Sequence, residues 1–114
     1  MTTQSRETLE KIKCTSCEGG IAGFAPDEAR QQLLELDGWK LSEDAKSISK
    51  SWNCKTFERA LQFANRIGEV AEADQHHPDL HLTGYRHLQV VLTTHAIGGL
   101  SLNDFILAAK IDAL

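Results

Sequence analysis

This chain of 114 residues predicts an α+β fold, an antiparallel sheet with helices on one face. Three observations lead there. Three segments carry apolar residues at spacings of three and four, the period of an amphipathic helix. Two stretches between them alternate or cluster apolar residues over short lengths bounded by polar or glycine-containing turns, as strands do. The first two strands follow each other with no helix between, which breaks the βαβ rhythm of a parallel sheet.

The elements follow in order. Residues 1–24 read as an arm, because Glu18-Gly-Gly-Ile-Ala-Gly23 is too rich in glycine for a regular element. Within it, Cys14-Thr-Ser-Cys17 has zinc-knuckle spacing, but no second pair follows. Cys54 would be only a third ligand where a closed zinc site takes four. Three cysteines are also too few for a disulfide framework. The domain proper is expected over 25–114. Its first helix opens at Pro26, with Asp27 and Glu28 where the helix dipole favours acids. Ala29, Leu33, Leu34 and Leu36 form its apolar face, and Gly38 is its expected C-cap.

Residues 39–41 and 48–52 then read as a hairpin turning through the polar stretch 42–47. The strongest helical period comes next, in Phe57, Ala60, Leu61, Ala64, Ile67, Val70 and Ala71, with Thr56 as N-cap. It should fade near Asp74, because Pro78 pushes His77 towards extended geometry. Residues 80–94 hold one or two strands: Leu88, Val90 and Leu92 alternate with Gln89, Val91 and Thr93, and Gly84 sets off Leu80-His81-Leu82. Gly98-Gly99 makes a turn. Ser101 caps the last helix, with Asp104 as a short-armed capping-box partner and Leu102, Phe105, Ile106, Ala109 and Ala113 as its stripe. There is no internal repeat. A partly open sheet face would favour pairing with a second copy.

Composition narrows the class. Hydrophobic residues make up 41% and charged residues 25%, a globular mix. The net charge is −4 with no Lys/Arg stripe, which disfavours direct nucleic-acid binding. No apolar run approaches the roughly 18 residues of a membrane span, and the polar start lacks a signal-peptide core. The chain reads as soluble and cytoplasmic; an organelle would require a targeting segment since removed.

The chemistry concentrates in the second half. Four of the five histidines lie between residues 76 and 87, and the fifth is His95. Histidine exchanges protons near neutral pH, and several fixed by a proline and a strand end point to a proton-transfer site. In an extended segment His76 and His77 face opposite sides and so take different jobs. Glu72, one helical turn before His76, is placed to orient a ring. Bland readings stand beside these: His81 in a loop, His87 on an exposed strand face, Asp104 only a helix cap, and Tyr85, Trp39 and Trp52 in the core. A histidine metal site is the other chemical reading, against which no two histidines stand at i, i+4 on a helix and no carboxylate completes a triad.

The pattern Glu72-x₃-His76-His77-Pro78-x₆-Tyr85-x₉-His95-x₈-Asp104 resembles that of the pterin-4a-carbinolamine dehydratase family, whose members are also known as dimerization cofactors of a homeodomain transcription factor. The resemblance runs from about Pro26 to Leu114. It includes Gly38-Trp39, the 57–70 helix, Thr93-Thr94-His95 and Gly99-Leu100-Ser101. It implies a four-stranded antiparallel sheet with three helices on one face, in a dimer or tetramer. It also implies a hydro-lyase acting in tetrahydrobiopterin recycling, which removes water from a 4a-hydroxytetrahydropterin without metal or cofactor. The implied catalytic set is His76, His77 and His95, with His76 and His95 as acid and base and His77 orienting the pterin. Glu72, Pro78, Thr94, Ala96, Ile97 and Trp39 would shape the pocket. As partners the resemblance implies an aromatic amino-acid hydroxylase pathway or a transcription factor. The alternative it leaves is a non-catalytic dimerization cofactor or assembly chaperone on the same fold. The spacer before Tyr85 is one residue longer than in animal-type members and carries His81.

Overall fold

The computed structural model describes residues 3–15 and 22–114; Cys17 and most of the glycine-rich stretch lie outside these. Its elements are α1 (Arg6–Lys11), α2 (Pro26–Leu33), β1 (Lys40–Leu41), β2 (Ile48–Asn53), α3 (Phe57–Asp74), β3 (Asp79–Thr83), β4 (His87–Leu92), a 3₁₀ turn (His95–Ile97) and α4 (Leu102–Asp112). The strands form one antiparallel sheet in the order β1-β2-β4-β3. No described helix is long and apolar enough to cross a membrane.

Period-two alternation decides which face of the sheet is covered. Leu88, Val90 and Leu92 of β4 are buried, and their β2 partners Trp52, Lys50 and Ile48 share that face. Helix α4 lies against this layer. It is buried almost all round, from Asn103 to Ala109 and again at Ile111, as a helix apolar on every side should be. The opposite face carries Ser49, Ser51, Gln89, His81 and His87, with no described helix on it. His81 therefore stands in a strand rather than a loop. The stretch 79–83 is β3, joined to β4 by a tight turn at Gly84 (φ 52°) and Tyr85 (φ 56°). Tyr85 is 58% exposed, not core, and Arg86 lies over its ring.

Three other expectations change. Helix α2 ends at Leu33 rather than running to Gly38; residues 34–38 are turns, Gly38 sits at φ 79°, and Leu34 is 76% exposed. On α3 the apolar arc is wider than its neighbours cover: Ala60, Ile67 and Ala71 are buried, while Phe57 and Leu61 stay exposed. The segment read as an arm carries α1, which puts Leu9 into the main core at 0% exposure.

Two buried side-chain amides tie that segment down. Gln32 accepts from the Gln4 N–H (2.9 Å) and donates to the Gln4 carbonyl (2.8 Å). Asn103 does the same to Thr15, at 3.0 and 2.8 Å. Each amide satisfies both backbone groups of one residue, as a strand neighbour would.

Candidate active site

The site forms where α3 unravels. Thr56 starts that helix by accepting from the Arg59 N–H, and Gln75 closes it in the left-handed region at φ 53°. The His76 N–H still reaches the Ala71 carbonyl at 3.2 Å, after which the chain extends through Pro78 into β3. The break sends the two histidines apart. His76 turns inward and is 5% exposed, while His77 stays in solvent.

His76 Nε2 lies 2.6 Å from Asp104 Oδ1. Asp104 is fully buried in the first turn of α4, and its other oxygen accepts from Thr94 Oγ1 (2.8 Å) and from the Ser101 N–H (3.0 Å). The proton positions follow by elimination. Thr94 spends its one hydroxyl hydrogen on Asp104, so Ser101 Oγ is the donor in the 2.7 Å contact between the two hydroxyls. A carboxylate can only accept, so His76 carries its proton on Nε2. In the neutral ring this makes Nδ1 the basic nitrogen.

Glu72 meets a different histidine from the one its spacing suggests. Its Oε2 is 2.7 Å from His77 Nε2, not at His76. The left-handed residue Gln75 ends the helical register, so the i, i+4 relation no longer applies to His76.

The three histidines meet at one cavity of about 190 Å³, lined also by Gln75, Thr93, Thr94 and Ala96. Thr93 braces it by donating to the Lys46 carbonyl in the β1–β2 turn (2.6 Å). Ile97 instead lines a larger neighbouring cavity of about 390 Å³, beside Phe24, Pro26 and Ala45. Pro78 is half-buried just past the histidines. Trp39 is placed elsewhere. Its indole N–H donates to Asp112 Oδ2 (3.0 Å) and its ring meets Trp52 edge-on. Asp112 is eight residues along α4 from Asp104, roughly 12 Å at helical rise.

His81 and His87 belong to the open sheet face. Among the described residues no three His, Cys, Asp or Glu side chains gather as a metal ion would require. The residue that sequence reasoning undervalues is Asp104, which is both helix cap and histidine partner. Its signal is the Ser101-x-x-Asp104 spacing, which puts a carboxylate in the first turn of the helix that follows His95.

Fold and site together define an α+β protein with a pocket where three histidines meet, one of them held by a buried carboxylate. The family model for pterin 4 alpha carbinolamine dehydratase matches residues 23–114, and the chain belongs to that family. A relative from Halorhodospira halophila named for the same dehydratase is 48% identical over 107 residues, covering 94% of this chain and 97% of its own. The mitochondrial pterin-4-alpha-carbinolamine dehydratase 2 of Arabidopsis thaliana is 42% identical over 93% of this chain and 58% of its own length. A crystal structure of a transcriptional coactivator/pterin dehydratase from Brucella melitensis superposes with a TM-score of 0.75 at 29% identity, covering 81% of this chain and 97% of that one.

Proposed function

We propose that this pocket dehydrates a 4a-hydroxytetrahydropterin to the quinonoid dihydropterin, as a hydro-lyase. The observation that carries the site assignment is the convergence of His76, His77 and His95 on one cavity, with His76 held from behind by a buried carboxylate.

Hydroxide leaves poorly, so the C4a–O bond breaks as a general acid protonates its oxygen. The N5 lone pair forms the C4a–N5 double bond, and the N5 proton passes to a base. Nothing is oxidised or reduced overall, so the balance closes with two proton-transfer groups. His76 and His95 take those parts. His77, steadied by Glu72, binds and orients the ring at the rim, and Thr94 and Ala96 wall the cavity. Positioned acid–base groups are each worth about 10²–10⁴ in rate.

The test is the dehydration rate of chemically generated 4a-hydroxytetrahydropterin with wild-type protein, His76→Ala and His95→Ala. The reading expects wild-type acceleration and a loss of about 10²-fold or more in each variant. No acceleration by folded wild-type protein would end it.

A binding role beside catalysis has one specific support, the Brucella structure that is named as both coactivator and dehydratase. Self-association belongs to the same proposal, since Phe57 and Leu61 leave an apolar strip on α3 and β3 is a free sheet edge. Sedimentation of the purified protein separates a monomer from a dimer or tetramer.

A further inference from the structure

The buried His76–Asp104 pair joins two elements, and its members lie 28 residues apart in sequence. His76 hangs from the end of α3, and Asp104 sits in the first turn of α4. Their 2.6 Å contact survives only if those two ends keep a fixed relative position. The segment 3–15 touches both ends. Asn103, the neighbour of Asp104, is clamped to the Thr15 backbone through both atoms of its amide. The Cys14 thiol donates to the Asn103 carbonyl (3.6 Å) and lies against the carboxylate of Asp74, two residues before His76. Asp74 in turn receives Lys110 of α4 at 2.5 Å. Cys14 is thus bonded to the first turn of α4 and buried near Asp74 in the last turn of α3.

We propose that Cys14 and Thr15, which lie ahead of the family-matched region, serve the reaction as a positioning element, with Cys14 and Asn103 holding α3 and α4 so that His76 and Asp104 stay in register. The proposal rests on the dehydratase reading for its kinetic consequence, but not for its structural one. Burial keeps the Cys14 thiol protonated, with its pKa pushed up to about 12 mainly by desolvation and further by Asp74. That suits a lasting hydrogen-bond donor rather than a nucleophile.

The molecule supplies its own control. Gln32, on α2, makes the same two-point clamp on Gln4, ten residues ahead of Cys14, so losing it loosens the other end of the segment. The experiment compares Asn103→Ala, Cys14→Ala, Cys14→Ser and Gln32→Ala in the full chain. Three readouts are taken: melting temperature, kcat with KM for the dehydration, and the ring nitrogen NMR signals of His76.

Asn103→Ala and Cys14→Ala should lower kcat about ten-fold with KM nearly unchanged, since a misplacement of about 1 Å from a remote mutation costs up to about 10² in rate. Both should also shift the His76 ring signals. Cys14→Ser keeps a donor and should recover most of the rate. Gln32→Ala should lower the melting temperature with wild-type kcat and unshifted His76 signals. Equal melting losses in Asn103→Ala and Gln32→Ala, with kcat and His76 signals unchanged in both, would overturn the proposal. If Asn103→Ala fails to fold, Cys14→Ala decides the same question by the same readouts. An inactive wild type would sink the dehydratase reading alone, and the His76 signals would still decide this one.

Discussion

Among the described residues, two histidine–carboxylate pairs of nearly equal length stand in opposite surroundings. His76 Nε2 to Asp104 is 2.6 Å, with side chains 6% and 0% exposed; His77 Nε2 to Glu72 is 2.7 Å, with side chains 60% and 69% exposed. Distance alone would rank them together, but burial separates them. Water screens the outer pair, and exposed pairs of this kind contribute about 0–1 kcal/mol. The inner pair has lost its water, and its carboxylate is held by hydrogen bonds from His76, Thr94 and Ser101. Removing one partner of such a buried pair costs about 3–5 kcal/mol, mostly because the other is left uncompensated. The inner pair is therefore a fixed part of the fold that presents a ring in one tautomer. The outer pair is an adjustable rim.

The largest expected effect comes from breaking the inner pair without changing its size. In Asp104→Asn one carboxylate oxygen becomes an NH₂, which must face either the His76 Nε2 proton or the donors Thr94 and Ser101. A donor then meets a donor unless His76 changes tautomer, which removes the basic Nδ1. We expect kcat to fall about 10²–10⁴-fold, the value of a positioned acid–base group, together with a clear loss of melting temperature. A wild-type rate in Asp104→Asn would show that burial does not set the roles of the two pairs.

Much of this is legible in the sequence, because local rules and tertiary packing agree. The period of α3, its Thr56 cap and its end before Pro78 are properties of consecutive residues, and the structure keeps them. The 87–92 alternation likewise marks which side of β4 is buried. Illegible features are those that depend on residues far apart. Helical spacing matches Glu72 to His76, but one left-handed residue, Gln75, cancels the register. Asp104 is half legible, since a cap is a local feature and its partner His76 lies 28 residues away. The folding of 3–15 onto the core joins the buried Leu9 to two amides, Gln32 and Asn103, that no periodicity marks. Resemblance makes Trp39 a pocket residue, and its bond to Asp112 puts it at the other end of α4.

If burial is what distinguishes the pairs, a third acid behind the site should show the same effect. Cys14 has its pKa pushed from the ordinary 9.0 up to about 12, chiefly by desolvation and then by Asp74. Above pH 9 the unfolded chain gives up this proton while the folded chain keeps it. The folded state then binds more protons, so stability falls as pH rises, by at most about 1.4 kcal/mol per pH unit up to about pH 12. The quantity to measure is the difference between wild type and Cys14→Ser in urea unfolding from about pH 8 to 11, which isolates the thiol from every other group. We expect the wild type to lose stability faster. Parallel curves would mean that the thiol is no more buried in the folded protein than in the unfolded chain.

The smallest effect should come from the outer pair, and its smallness is informative. Glu72→Gln leaves a side chain that can still hydrogen-bond His77 and removes only the charge. An exposed pair is also screened by salt, with a Debye length of about 3 Å at 1 M. Raising the ionic strength of wild-type protein should therefore mimic the substitution. We expect Glu72→Gln to raise KM by a few fold, in keeping with the roughly 0–1 kcal/mol of an exposed pair, and to leave kcat and melting temperature unchanged. Wild type in about 1 M salt should approach the variant, and the variant itself should respond little. A large fall in kcat for Glu72→Gln, insensitive to salt, would give the outer pair the role assigned here to the inner one. The rim would then have to close over the substrate and bury His77 during turnover, because an exposed pair has no other way to act like a buried one.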